Sequence, residues 1–272
     1  MQCSPELDAM IRAAQKAAAR LQADFARRDG VSVTEKGPAD FVSSADLASQ
    51  EILQRDLGDA FPGHELVLEE GPSRGRAETA RVGRLFVDPL DGTTNFLKGI
   101  PHFAIAIALE TGGTVVGGVV LNAASGELFY AERGSGAWVR AAATTRRLRV
   151  SDVRELGNAV IGTGIPNRGG KGHASYLTGL GNIMTDVAGI RRFGSAALDL
   201  AYVAAGRFEA FYERGLAPWD VAAGSLLVTE AGGAVSRSDG ADSRLDDGDI
   251  LATGTVELRR HLIERLAPKP VS

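Results

Sequence analysis

Apolar residues recur at helical spacing from the start of the chain. Leu7, Met10, Ile11, Ala14, Ala18, Leu21 and Phe25 fall on one face, with Ser4 placed to cap the segment and Pro5 suited to its first turn. Asp29-Gly30 closes it. A second helix is predicted from Ser43 or Ser44, turning Leu47, Ile52, Leu53 and Leu57 inward. The run Arg84-Leu85-Phe86-Val87 reads as a buried strand, and Leu66-Val67-Leu68 is a shorter apolar run. Further on the period drops to two. Residues 103–110, 115–122 and 126–131 are predicted strands, joined by Thr111-Gly112-Gly113 and Ala124-Ser125-Gly126. This predicts an antiparallel meander covered by the early helices. Near residue 145 helical and strand-like stretches begin to alternate, with glycine-rich joints at 162–172. The change divides the chain into halves, 1–145 and 146–272. Residues 71–80 and 236–249 are polar and read as surface loops; the acids of the second lack the order of a calcium loop.

Composition narrows the function. The chain has 272 residues, 44% of them hydrophobic, enough for one large domain or two closely joined halves. A net charge of -4 with no basic tract argues against nucleic-acid binding driven by backbone phosphate. A single cysteine, Cys3, excludes an internal disulfide and any multi-cysteine metal site. The four histidines, His64, His102, His173 and His261, lack ligand spacing, so a zinc enzyme is not expected. No secretory signal opens the sequence and no apolar stretch is long enough to span a membrane. The expectation is a soluble cytoplasmic globular protein.

The nine residues Asp88-Pro89-Leu90-Asp91-Gly92-Thr93-Thr94-Asn95-Phe96 change the picture most. Two carboxylates three positions apart stand where a buried strand ends. Such acids are costly unless a cation satisfies them. Backbone amides in the turn that follows could hold a phosphate beside that cation. With carboxylates as the abundant ligand type, magnesium is the first candidate. The pattern points to a metal-dependent enzyme acting on a phosphate ester. Other acids are ambiguous alone. Asp220, after Trp219, reads as a helix cap. Glu213 reads as a surface acid beside Arg214, and Glu69-Glu70 as a solvated pair.

Read together, these segments resemble the inositol monophosphatase family, within the lithium-sensitive, magnesium-dependent phosphatase superfamily. Residues 88–96 resemble its first signature. Trp219-Asp220-Val221-Ala222-Ala223-Gly224, with Glu230-Ala231-Gly232-Gly233, resembles its second. Lys36 with Asp40–Asp46, Glu69-Glu70-Gly71, and Gly194–Ala201 match three further blocks in family order. The resemblance implies an α+β fold, an alternating αβαβα layered sandwich of the inositol monophosphatase / fructose-1,6-bisphosphatase type. Most metal ligands would lie in 1–145, with Asp220 and substrate-binding residues in 146–272.

It also implies roles. Glu69, Asp88 and the Leu90 carbonyl would bind one magnesium, and Asp88, Asp91 and Asp220 a second. A weaker third ion would associate with Glu69, giving two to three per site. Thr93, paired with Asp46, would position and deprotonate the attacking water. The Gly92 and Thr93 amides would hold phosphate oxygens. Asp220 would help neutralise the leaving oxygen. Asp91, the Gly194-Ser195-Ala196 segment and Glu213 would form the polyol side of the pocket. Lys36 would shape the catalytic loop. The expected reaction is hydrolysis of myo-inositol 1-phosphate by a lithium-sensitive, homodimeric enzyme. Related activities toward fructose 1,6-bisphosphate, histidinol phosphate, adenosine 3′,5′-bisphosphate or NADP compete with it, as does an accessory role with RNA polymerase and ribosomal RNA transcription. The sequence departs from the family pattern at Leu68, usually glycine, at Pro218, often cysteine, and at Asn167, where relatives often carry an aromatic.

Overall fold

The computed structural model describes residues 3–27, 32–37, 40–71, 82–165 and 173–267, with the side chains of residues 35–41 left aside. The Asp29-Gly30 stop, most of the 71–80 loop, and Pro166 with Asn167 lie outside the described residues. Lys36 falls where only the backbone is described. The elements run α1 (Pro5–Ala26), β1 (Val33–Gly37), β2 (Asp40–Ser43), α2 (Ser44–Ala60), β3 (Glu65–Leu68), β4 (Arg84–Asp91) and α3 (Thr93–Leu97). Then come β5 (Ala104–Thr111), β6 (Thr114–Asn122), β7 (Leu128–Glu132), β8 (Gly136–Ala141), β9 (Thr144–Arg147), β10 (Val160–Thr163) and α4 (His173–Met184). The chain continues through β11 (Gly189–Arg191), α5 (Ala196–Ala204), β12 (Ala210–Arg214), α6 (Pro218–Glu230), β13 (Ala234–Ser236), β14 (Asp249–Thr253) and α7 (Val256–Leu266).

Strands β3 to β9 form one sheet in chain order, antiparallel except where β3 runs parallel to β4. The second sheet is mixed, in the order β11-β10-β12-β14-β13. Side-chain alternation explains how the layers stack. On β4 and β5, Leu85, Val87, Ile105, Ile107 and Leu109 face a core shared with α1 and α2. Phe86, Ala104, Ala106 and Ala108 face the opposite core, made with α5 and α6. That second core also takes Phe211, Ile250 and Ala252 from the mixed sheet. The far face of the mixed sheet, with Ile161, Ala210, Tyr212 and Leu251, packs on α4 and α7. The result is the five-layer αβαβα sandwich expected from the sequence.

Small residues line the contacts of the central helices with their neighbours. A Cβ on Gly118 of β6 would stand 3.0 Å from the Ala223 carbonyl of α6. One on Gly224 would fall 2.5 Å from Leu200 Cβ of α5. Glycine at these two positions lets α6 lie between the sheet and α5, which fixes where its N-terminus, and so Asp220, is presented.

The first helix is capped as expected, with Ser4 Oγ accepting from the Leu7 amide at 3.1 Å. The expected inward face of α2 needs a correction. Leu47 is 53% exposed, while Ala45, Asp46, Ser49, Gln50, Leu53 and Leu57 are buried. One residue is about 100° on a helix, so the stripe through 46, 49, 50, 53 and 57 leaves Leu47 outside. The first turns of that stripe are polar because they hold up the functional site. Ser49 Oγ donates to the Pro89 carbonyl at 2.7 Å. Gln50 exchanges two hydrogen bonds with the backbone of Glu70. No helix among the described residues is long and apolar enough to cross a membrane.

Candidate active site

The site grows from an irregularity in β4. Asp88 pairs with Ala106 of β5, but Asp91 pairs with Ala104, so three steps on β4 oppose two on β5. The extra residue makes a bulge at Pro89-Leu90, where proline's missing donor is tolerated. Asp88 Oδ1 accepts from the Leu90 amide at 2.9 Å and closes the turn. Gly92 follows with φ 98°, a conformation that favours glycine. It starts α3 with Thr93 at its first position.

Thr93 and Asp46 meet as expected. Thr93 Oγ1 lies 2.9 Å from Asp46 Oδ1 and 3.1 Å from the Leu90 carbonyl. Its single proton can serve only one of these acceptors at a time. Asp46 is fixed from behind: its Oδ2 accepts from the Ser43 amide at 2.9 Å and from the Ser43 hydroxyl, closing the capping box of α2. Burial raises the Asp46 pKa, while hydrogen bonds from Ser43 and Thr93 oppose the rise.

Four carboxyls gather beside this pair. Asp88 lies within the charge influence of Glu69, Asp91 and Asp220. Glu69 arrives at the end of β3, which runs parallel to β4. Asp220 arrives at the first turn of α6, where its Oδ2 also accepts from the Ala217 amide at 2.7 Å. Asp220 is therefore both the ordinary helix cap and a member of the cluster. Burial and mutual repulsion push the Asp88 pKa well above the usual carboxylate value, and that of Asp220 up to about 7.

The donor set fits a hard cation. It is all oxygen, and acids that repel one another in a buried place are stabilised by a shared positive charge. Among the described residues, no three acidic, histidine or cysteine side chains already stand as a cage about one point.

Asp91 faces the other half of the molecule. Its Oδ2 accepts from the Ser195 hydroxyl at 2.6 Å and the Ala197 amide at 2.8 Å. Its pKa is raised by burial to about 6 against these bonds. The expected Gly194-Ser195-Ala196 segment thus reaches the site, where the Ser195 hydroxyl is turned to Asp91. Gly194 lies against Gly92, whose Cβ position would be 3.3 Å from the Gly194 carbonyl. Asn95 ties the two loops further, its amide donating to the His102 and Phe193 carbonyls at 2.8 and 2.7 Å.

Glu213 reaches the same cleft from β12. Arg214 does not pair with it but turns to Ser238 and Asp249. Burial, with the charges of Asp91 and Asp220, pushes the Glu213 pKa up to about 8, and Arg192 opposes the shift. Sequence reasoning assigned no role to Asp199, an acid inside the apolar run of α5. It is 1% exposed, lies within the influence of Glu213 and Asp91, and has a pKa well above the usual value because of burial. An acid in a buried helical stripe was the available signal. Ser49 and Gln50 carry no short-range pattern that distinguishes them in the sequence.

Known proteins resemble this chain over nearly its whole length. The sequence profile of the Inositol monophosphatase family matches residues 3–269. A protein named Inositol-1-monophosphatase from Mesorhizobium japonicum is 47% identical, over 98% of this chain and 97% of its own length. A Pseudomonas aeruginosa protein named Nus factor SuhB is 43% identical over 92% of each. The crystal structure of the extragenic suppressor protein suhB from Bartonella henselae superposes with a TM-score of 0.89 at 46% identity, covering 95% of this chain and 97% of that one. The chain belongs to the inositol monophosphatase family of the lithium-sensitive, magnesium-dependent phosphatase superfamily, and is an enzyme that hydrolyses phosphate monoesters.

Proposed function

We propose that the reaction is magnesium-dependent hydrolysis of myo-inositol 1-phosphate to myo-inositol and phosphate. The observation that carries the reading is the cluster of Glu69, Asp88, Asp91 and Asp220 set beside the Thr93–Asp46 pair. Glu69, Asp88, the Leu90 carbonyl, Asp91 and Asp220 are assigned to hold magnesium. When bound, the metal would supply charge neutralisation at the phosphate and lower the pKa of water. The chain's own residues do the rest. Thr93 orients the attacking water and passes its proton toward Asp46, whose raised pKa suits an acceptor. The Gly92 and Thr93 amides bind phosphate oxygens. Asp220 stands near the leaving oxygen. The Gly194–Ala196 segment and Glu213 form the wall that meets the polyol, Glu213 accepting hydrogen bonds from ring hydroxyls. Homodimerisation and lithium sensitivity belong to the same proposal.

A panel of esters at fixed magnesium tests the reading: myo-inositol 1-phosphate, fructose 1,6-bisphosphate, histidinol phosphate, adenosine 3′,5′-bisphosphate and NADP. The highest kcat/KM is expected for the inositol ester, with turnover lost in excess chelator and suppressed by millimolar lithium. A clear preference for another ester would overturn the substrate assignment. Full turnover in chelator would overturn the metal role. The relatives named Nus factor SuhB favour a second reading, contact with the transcription machinery, which can coexist with hydrolysis. Retention of RNA polymerase on the immobilised protein, from lysate of its native host, is the corresponding test.

A further inference from the structure

Strand β10 runs parallel beside β12, with Thr163 in register with Tyr212. One residue further on, Gly164 and Glu213 lie side by side at the strand ends. A Cβ built on Gly164 would fall 1.7 Å from Glu213 Oε1, 1.8 Å from Cδ and 2.2 Å from Oε2. All three nearest atoms belong to that one carboxyl group. It therefore lies directly across the Gly164 α-carbon, in space that any side chain would fill. Gly164 is not among the glycines with positive φ. Space, and not backbone conformation, is what demands glycine here.

The backbone beneath the carboxyl is held firmly. The Tyr176 hydroxyl donates to the Gly164 carbonyl, and Thr163 Oγ1, whose single proton serves one acceptor at a time, stands 3.2 Å from the same carbonyl. Thr163 Oγ1 also reaches the Tyr212 carbonyl at 2.9 Å, tying β10 to β12 next to Glu213. Tyr176 stacks on Tyr212 with ring centroids 5.4 Å apart. Thr163 and Tyr176 are 1% and 2% exposed. This network holds the backbone at the end of β10.

We propose that Gly164 is a specificity-positioning residue: it leaves open the place in which the Glu213 carboxylate lies, and thereby sets how the site meets the hydroxyls of a polyol phosphate. The inference rests on the assignment of Glu213 to the polyol wall. The overlapping atoms are the far end of a flexible side chain. Alanine at 164 should therefore move the Glu213 carboxyl aside and leave the fold standing.

Steady-state kinetics with magnesium on myo-inositol 1-phosphate and on 4-nitrophenyl phosphate, a small ester without ring hydroxyls, decides the matter. Gly164→Ala is expected to raise KM for the inositol ester about tenfold, equivalent to about 1.4 kcal/mol, with kcat changed less than about twofold. The 4-nitrophenyl ester should show no comparable rise in KM. In a Glu213→Ala background, adding Gly164→Ala should have no further effect, because the atoms it would displace are gone. Equal losses on both esters, an unchanged KM, or effects that simply add to those of Glu213→Ala would overturn the inference. If Gly164→Ala fails to fold by circular dichroism, the double variant should recover the fold; a double variant that also fails refutes the idea. Failure of the underlying reading shows separately, as a Glu213→Gln variant whose preference between the two esters equals that of the parent.

Discussion

Asp88 and Glu213 are both acids in one cleft, yet they are held by different means. Asp88 is fixed by its own turn: the Leu90 amide bonds it, the bulge aims it, and Gly92 and Thr93 follow at once. Glu213 is held by what packs around it. Its strand neighbour Gly164 leaves the room, and the Thr163–Tyr176 network stiffens that floor. The first is local geometry written in consecutive residues. The second depends on sheet register and on the absence of one side chain. Chemistry assigned to the Asp88 turn should therefore fail abruptly when a single group is altered, whereas the Glu213 wall should respond in degrees.

The largest expected effect is at the turn. Asp88→Asn keeps the shape and removes the charge at the centre of the cluster. A loss of roughly 10²–10³ in kcat on every phosphate ester is expected, the scale on which removing one preorganised charge-stabilising group acts. A variant that retained turnover on one ester would break the contrast, because it would show graded behaviour where an abrupt loss is expected.

The pH dependence of stability sharpens the comparison. Asp91, Asp220 and Glu213 have folded-state pKa values raised to about 6, 7 and 8. Across the window between the ordinary carboxylate value near 4 and these values, the folded state binds more protons than the unfolded state. The stability gained is full below that window and is lost as pH rises to about 8. In chelator, the thermal midpoint should fall from pH 5 to pH 8. Magnesium should flatten that fall by neutralising the cluster. Glu213→Gln should lessen the fall across the whole window and abolish it above about pH 7, where Glu213 alone still titrates. A midpoint that rises with pH in chelator would contradict the assigned shifts.

The smallest effect is expected at Leu47. It is exposed on α2, one position from the buried stripe that supports the site. Leu47→Ala should change stability by no more than about 0.5 kcal/mol and leave kinetics unaltered, whereas Leu53→Ala on the same helix should cost about 2–5 kcal/mol. Chemical denaturation of the two variants makes the check, and a destabilised Leu47 variant would contradict the observed orientation.

What was legible in the sequence follows the same division. Strand periodicity located β5 to β7 to within a few residues, because one-residue alternation survives in a meander. The Ser4 cap and the start of α2 near Ser43 were visible because capping is a local, side-chain-to-backbone matter. The Asp88 turn was readable for the same reason. Leu47 was misread because hydrophobicity alone was used to orient α2, where the inward stripe opens with Asp46, Ser49 and Gln50. The roles of Asn95, Asp199 and Gly164 stayed hidden. Each depends on a neighbour brought close only by the folded sheets and helices.

Asp91 links the two parts of the cleft. Its carboxylate belongs to the Asp88 turn, yet it receives the Ser195 hydroxyl and the Ala197 amide in the first turn of α5. The mouth of α5 is therefore tethered to the hydrolytic centre and cannot be remodelled without disturbing it. Heritable change in substrate range has a freer path through the ends of β10 and β12, where Gly164 and Glu213 meet and no such tether runs among the described residues. In a lineage that kept its hydrolysis while diversifying its esters, innovation would collect at those strand ends and the start of α5 would stay conservative.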